Sequence, residues 1–332
     1  MPKKKLQPKK LLCEEILLVD GLGRAGKQLV SKLVSNFERV ECFQYSASLE
    51  QFLILNFLGH LDKDPSIAFL RLITDELVYN RMIGRNLNTR PSDASSILKV
   101  NDYDLYIQRT LQPEGDQAVE HFNKENRLPC FMTHHVIVHF SLFLEAYPSA
   151  RLVHSVRHPI DLVHSWHSRK WGTRIGSDPR AFALAINVEG SQVPWWGEQT
   201  ATSYEQMSPI DRVISDVLQL QRLCEKSYRQ LVAHQQRQVH YIGYERLFTD
   251  ATREMKKVAE FFGTEPCNGF DGVLKREHVP QANAISLKAR KAKFDYIRLN
   301  ASAKALDQLH EASKTYELDW DLPNIGKSVR VD

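Results

Sequence analysis

The 332-residue sequence predicts a three-layer α/β fold: a central, mostly parallel sheet with helices on both faces, entered through a P-loop-like turn and carrying a helical insertion. Three observations predict it. The run Ile16-Leu17-Leu18-Val19-Asp20 has strand length, breaks into three glycines within six residues, and resumes with helical spacing at Leu29, Val30, Leu33 and Val34. A second strand, loop and helix follow at Ala150–Arg157 and His158-Pro159-Ile160-Asp161. Strands and helices alternate along much of the rest of the chain, as in a parallel sheet buried on both sides.

The first loop, Gly21-Leu22-Gly23-Arg24-Ala25-Gly26-Lys27-Gln28, is a phosphate cradle. Its amides and the positive end of the following helix converge on one point, where an anion replaces water. Arg24 and Lys27 add two charges. The string fits G-x-x-x-x-G-K-[ST] up to Gln28, which stands where a hydroxyl would hold magnesium. Val40–Tyr45 then reads as a short strand. Leu49–Leu61 and Ile67–Met82 carry apolar residues at three and four spacing, and begin an inserted helical layer over about 49–127. Gly84–Asp93 is a polar loop with Arg85 and Arg90, and Asp102–Gln117 has no clear period.

Leu128–His135 returns to strand periodicity, and Val136–Ala146 is a helix that stops before Tyr147-Pro148. Ala150–Arg157 alternates only partly, as a buried parallel strand does. The helix after it opens with Pro159 in the first turn and Asp161 complementing the dipole. Residues 172–208 are loop-rich, include Trp195-Trp196, and are long enough to be a candidate substrate loop. A helix over Ile210–Ala233, a strand over Val239–Glu245 and a helix capped by Asp250 or Thr252 and ending at Phe261-Phe262-Gly263 follow. A basic stretch, Lys288–Lys293, precedes a last helix over Ala301–Tyr316. The expected organisation is one domain over 12–325 behind a basic arm at 1–11.

Composition narrows the function. Apolar residues at 42% and charged residues at 25% describe a soluble globular chain. Forty-four basic against 40 acidic residues give +4, too little to indicate nucleic acid. The arm holds Lys3, Lys4, Lys5, Lys9 and Lys10 but no apolar stretch of signal-peptide length. No run approaches the ~20 apolar residues of a membrane span. Cys13, Cys42, Cys130, Cys224 and Cys267 form no C-x-x-C pair, so neither a metal site nor a disulfide framework is expected, and a reducing, cytoplasmic setting is.

The stretch Val153-His154-Ser155-Val156-Arg157-His158-Pro159-Ile160-Asp161-Leu162-Val163-His164-Ser165 resembles the 3′-phosphate-binding motif of sulfotransferases that use 3′-phosphoadenosine 5′-phosphosulfate (PAPS). The resemblance implies that Arg157 and Ser165 bind the 3′-phosphate. Gly23-Arg24-Ala25-Gly26-Lys27-Gln28, running on to Leu29, looks like the family's 5′-phosphosulfate loop, with Arg24 at its basic catalytic position and Gly26 at its glycine. Lys27 and Gln28 replace two threonines. Met132-Thr133-His134 is similar to the family's Lys-Thr-His, which makes His134 the implied base. Tyr244-Glu245-Arg246-Leu247, with the helix to Gly263, is similar to its Tyr-Glu-x-Leu segment. Arg290, with Lys288, Lys291 and Lys293, is the implied counterpart of a basic loop over the 3′-phosphate. Residues 49–127 and 172–208 match nothing in the family pattern.

The activity so implied is in-line transfer of a sulfuryl group from PAPS to a hydroxyl or amine of a small molecule, lipid or glycan, leaving PAP. A sulfuryl group carries one negative charge where a terminal phosphoryl carries about two, so no metal is required. Arg24 or Lys27 then offsets charge at the bridging oxygen, His134 takes the acceptor proton, and the insert and the Trp195-Trp196 loop exclude water. Two alternatives stay open: a P-loop kinase or nucleotidase, favoured by Lys27 directly after Gly26, and a non-catalytic nucleotide-binding protein of the same fold. The partners so implied are the acceptor and, as a further option, a second copy of the chain in a homodimer.

Overall fold

The structure is a computed structural model that describes Leu6 and residues 10–174, 176–279 and 285–322. Lys3, Lys4, Lys5 and Lys9 of the basic arm lie outside the described residues. Seven strands are present among those described: β1 (Leu17–Asp20), β2 (Gln44–Tyr45), β3 (Cys130–Met132), β4 (Arg151–Val156), β5 (Ala185–Val188), β6 (Ser191–Pro194) and β7 (Val239–Gly243). Five form a parallel sheet in the order β2-β3-β1-β4-β7, while β5 and β6 make a separate antiparallel hairpin. β1 is central, with Leu17 opposite both Cys130 and Arg151 and Val19 opposite both Met132 and Val153.

The pleat sends alternate residues to opposite cores. Leu17, Val19, Cys130, Val153 and Ile242 face one; Leu18, Phe131 and Leu152 face the other. Fifteen α-helices lie among the described residues: α1 (Lys27–Val34), α2 (Ala47–Phe57), α3 (Lys63–Met82), α4 (Tyr103–Arg109), α5 (Asp116–Lys124), α6 (Phe140–Ala146), α7 (Pro159–His167), α8 (Ala201–Tyr204), α9 (Pro209–Gln230), α10 (Ala233–Gln236), α11 (Tyr244–Thr249), α12 (Ala251–Phe262), α13 (Phe270–Arg276), α14 (Leu287–Asn300) and α15 (Ala303–Asp319). α1, α12 and α13 cover the first face; α2, α6, α7 and α9 contribute to the second core, with α3, α14 and α15 packed onto those helices. This is the three-layer α/β arrangement that the alternation predicts. No helix among the described residues is long and apolar enough to cross a membrane.

Several boundaries differ from the sequence reading. The strand expected over Val40–Tyr45 shrinks to Gln44–Tyr45, because the Cys42 amide donates to Tyr106 Oη (2.6 Å) and the Phe43 amide to Ser35 Oγ (2.9 Å) instead of to a neighbouring strand. The strand expected to reach His135 stops at Met132, and the helix after it begins as a 3₁₀ turn, Val136–His139. The helix expected to reach Leu61 ends at Phe57, before the left-handed Gly59 (φ +73°). Within 172–208 lies the β5–β6 hairpin, whose turn residues Glu189 and Gly190 both have positive φ, +51° and +90°. Asp102–Gln117 contains α4 and the start of α5, and the basic stretch Lys288–Lys293 lies inside α14.

A buried ion cluster fixes the insert to the sheet edge. Glu41, fully buried just before β2, accepts Arg109 Nη1 and Nη2 of α4 (2.9 and 3.0 Å) and Arg127 Nε (2.7 Å). Burial alone would raise its carboxyl, but the two guanidinium charges outweigh burial and hold it down at about 2. Removing this carboxylate leaves the buried Arg109 with Glu125 at 3.8 Å and Arg127 with the more exposed Asp102 at 3.2 Å. Glu41→Ala is therefore expected to lower unfolding free energy by about 3–5 kcal/mol in urea denaturation.

Candidate active site

The phosphate-cradle geometry follows from glycine. Gly26, the N-cap of α1, has φ +103°, and a Cβ there would lie 2.4 Å from the Tyr244 ring. Gly23 lies under Trp171, whose ring would be 2.4 Å from an added Cβ, and its carbonyl accepts Trp166 Nε1 at 2.7 Å. The first turn of α1 contains no acidic residue, so its amides and dipole stay open to an anion. Ala25 is buried, its carbonyl taken by Ser155 Oγ (2.8 Å), whereas Gln28 is exposed at the helix start and Leu29 half-buried.

β4 and α7 bring the second motif to the same place. Arg157 Nη1 donates to the Arg24 carbonyl (3.0 Å), its guanidinium lies 4.1 Å from the Tyr244 ring centroid, and its Nε is buried without a partner. Ser165 Oγ accepts from Arg24 Nε (3.3 Å) and from Arg169 Nη1 (3.1 Å). Two guanidiniums, Arg24 and Arg169, thus meet at one serine beside the loop, Arg157 reaches the Arg24 carbonyl, and none of the three forms an ion pair among the described residues. Burial, then the charges of Arg169 and Arg157, push the Arg24 pKa below its ordinary value.

Two expected cofactor residues lie elsewhere. Lys27 is buried beneath the loop, its ammonium donating to the Gly21 carbonyl at 2.6 Å; burial draws its pKa down to about 8, against the pull of Glu50 and Asp20. It does not sit at the mouth as a free cation. Arg290 is also buried, paired with Asp161 (3.3 Å) and 3.6 Å from Glu245, because α14 turns it inward against α7 and α11. The basic loop expected over the phosphate is a helix, and Lys293 also contacts Asp161.

On the other side of Gly23 a cavity of about 330 Å³ opens, walled by Trp166, Trp171, Trp195 and Trp196, with His134 and Glu50 among its lining residues. The His134 ring meets Tyr45 edge-on at 5.2 Å. Its backbone N–H donates to Glu50 Oε1 (2.5 Å), and its Nδ1 lies 3.3 Å from the same oxygen. Burial, then the charges of His134 and Lys27, push His135 well below its ordinary pKa, and burial takes His139 down to about 3. Both packed histidines are therefore uncharged at neutral pH. Sequence reasoning missed Glu50 and Arg169. Arg169 carried a signal, lying four residues after Ser165 in a helical register; Glu50, 84 residues from His134, carried none.

The parallel sheet, with a glycine loop and a second basic cluster at adjacent strand ends, defines an α/β protein whose crevice lies beyond the carboxyl ends of its strands. The sequence model of the sulfotransferase domain matches residues 30–302, and the chain belongs to that family. The match begins just after the glycine loop. No curated protein matches the chain in sequence. Similar solved structures include a sulfotransferase domain from the curacin biosynthetic pathway (10% identity, 94% of this chain and 99% of that one, TM-score 0.46). Others are the sulfotransferase domain of the Synechococcus PCC 7002 olefin synthase (14%, 97% and 100%, 0.46) and sulfotransferase STF9 from Mycobacterium avium (12%, 88% and 79%, 0.39).

The tryptophan wall depends on Asp216 of α9, which is buried and accepts Trp196 Nε1 (3.1 Å) and Tyr204 Oη (3.0 Å). Burial pushes its carboxyl up to about 7, only partly offset by those bonds. Between the ordinary value of 3.8 and about 7 the folded chain binds more protons here than the unfolded chain, so this group's contribution to stability falls as pH rises through that window. Asp216→Asn keeps an acceptor without the charge. It is expected to raise the melting temperature at pH 8.5 and to leave it unchanged or lower at pH 5, as read by thermal denaturation.

Proposed function

We propose that the protein is a PAPS-dependent sulfotransferase, carrying a sulfuryl group to a hydroxyl or amine of a small-molecule, lipid or glycan acceptor and releasing PAP. The observation that carries this reading is the gathering of Arg24, Arg157, Arg169 and Ser165 beside the open amino end of α1, with no carboxylate pairing the three guanidiniums among the described residues. The unpartnered Nε of Arg157 is a buried donor awaiting an acceptor, which fits a phosphate. The loop from Gly23 to Leu29, with Arg24, would hold the 5′ end of PAPS, and Arg157 with Ser165 the 3′-phosphate.

When bound, PAPS supplies an activated sulfuryl group. The chain's own residues do the rest. Arg24, exposed at the loop, places fixed positive charge where negative charge is to be offset. His134, on the wall of the neighbouring cavity, takes the acceptor's proton. The tryptophans give the cavity beside them apolar walls. The inward direction of Lys27 favours this reading over a kinase, whose loop lysine must reach a phosphate.

Three measurements test it. PAP at about 100 times its Kd should stabilise the wild type by about 2.7 kcal/mol in a thermal-shift assay; stabilisation by ATP but not PAP would overturn the assignment. Arg157→Ala should weaken PAP binding by about 10- to 100-fold, the loss of one charged hydrogen bond of about 1.5–3 kcal/mol. His134→Ala should keep PAP affinity and cut turnover by about 10²–10⁴-fold.

A further inference from the structure

We infer that Glu50 is a positioning residue for His134: it holds the imidazole with its proton on Nδ1, so that Nε2 is left free to accept. The inference rests on the sulfotransferase reading only for the use made of Nε2. Glu50 sits on α2 among core residues Leu49, Leu53 and Ile54, with 7% of its side chain exposed. A carboxylate in such a place is costly unless it is bonded. Its Oε1 serves a single residue twice, through the backbone N–H and Nδ1 of His134. An ionised carboxylate only accepts, so Nδ1 must carry the proton; a neutral imidazole then has its lone pair on Nε2. No group among the described residues is bonded to Nε2.

The groups around Glu50 come from three elements. Lys27 of α1 faces it electrostatically, Tyr45 of β2 lies on the same wall, and His134 and His135 come from the turn after β3. His135 is uncharged at neutral pH, which leaves Lys27 as the buried cation acting on the carboxylate. Tyr45 meets the His134 ring edge-on at 5.2 Å and His135 lies 5.9 Å away, so the ring is held from three sides. A Glu50 that only secured the turn would need its backbone bond alone and would leave the ring free to choose its tautomer.

The test separates these roles with two substitutions in the full chain. Long-range ¹H–¹⁵N NMR reads the His134 tautomer without cofactor or acceptor. The wild type should show a single Nδ1–H form; Glu50→Ala should show a mixture; Glu50→Gln, whose amide oxygen still accepts, should restore the wild-type form. Against whichever hydroxyl or amine in a phenol, amine and sugar panel the wild type sulfates from PAPS, Glu50→Ala should lower kcat by about 10- to 100-fold with the KM for PAPS unchanged, and Glu50→Gln should recover most of it. Wild-type His134 protonated on Nε2, or a Glu50→Ala variant that keeps the Nδ1–H form, would overturn the inference. So would a Glu50→Gln enzyme as inactive as Glu50→Ala with its tautomer intact, since the carboxylate would then itself be the base. A wild type that binds no PAP but shows the locked tautomer would instead overturn the functional reading and leave the positioning role standing.

Discussion

The crevice depends on one buried carboxylate. Asp20 closes β1 with no exposure to solvent and receives four donors: Thr133 Oγ1 (2.7 Å), the amides of Val136 (3.0 Å) and Ile137 (3.3 Å), and His154 Nδ1 (2.9 Å). Burial would raise its pKa, but the His154 bond and charge, the Thr133 bond and the Lys27 charge together hold it well below the usual range. Three consequences follow. The chain must turn immediately after β3, which ends that strand before Thr133 and presents His134 at the turn. β4 is locked beside β1, which sets Ser155 and Arg157 next to the loop. Two amides that a buried turn would leave unpaired are satisfied, each a matter of about 1–3 kcal/mol.

Charge is then partitioned by depth. Asp161 is buried beneath the arginine cluster, where it binds Arg290 and Lys293, so these cations are neutralised inside. Arg24, Arg157 and Arg169 form no ion pair among the described residues, although the Arg157 charge also acts on Asp161, and they lie beside the loop. Like charges a few ångströms apart repel by about 1 kcal/mol in water and about 4 kcal/mol in a partly desolvated setting. An anion entering among them relieves that repulsion as well as forming new bonds. The residues that repel one another without a ligand are those a phosphate would stabilise most. The neighbouring cavity is built the opposite way, with aromatic walls and a His135 kept neutral by burial, so the two halves of the crevice differ in polarity on either side of Gly23.

What the sequence disclosed was whatever is local. β1, its glycine loop and α1 carry their own apolar period and turn residues, and so do β4 with α7 and the Tyr244–Gly263 segment. The motifs therefore fell on the correct strand ends. Boundaries failed where a distant side chain took over a backbone group, as Tyr106 does at Cys42 and Asp20 does at Val136 and Ile137. The β5–β6 hairpin was missed because its two left-handed turn positions hold Glu189 and Gly190 in place of the usual Asn-Gly. Arg290 was misplaced because Lys288 and Lys291 beside it are exposed, and one inward residue in a basic helix leaves no mark in the local pattern. Glu50 resembles any charged residue on a helix until the fold brings His134 to it.

Lys27 shows how position and direction separate. It follows Gly26 as the lysine of a nucleotide-phosphate loop would, and it stands where the sulfotransferase pattern has threonine. Its ammonium instead points inward to the Gly21 carbonyl. Two buried carboxylates, Asp20 and Glu50, face this region and both act on Lys27 electrostatically. A threonine there would remove the one charge that acts on both, whereas the lysine supplies it at the cost of its own desolvation, visible as its depressed pKa. In the proposed function an anion at the mouth would then be left to the backbone amides, Arg24, Arg157 and Ser165. The substitution that makes the loop look like an ATP site is thus accounted for by charge balance under the loop, and it links the donor loop to the carboxylate that holds His134.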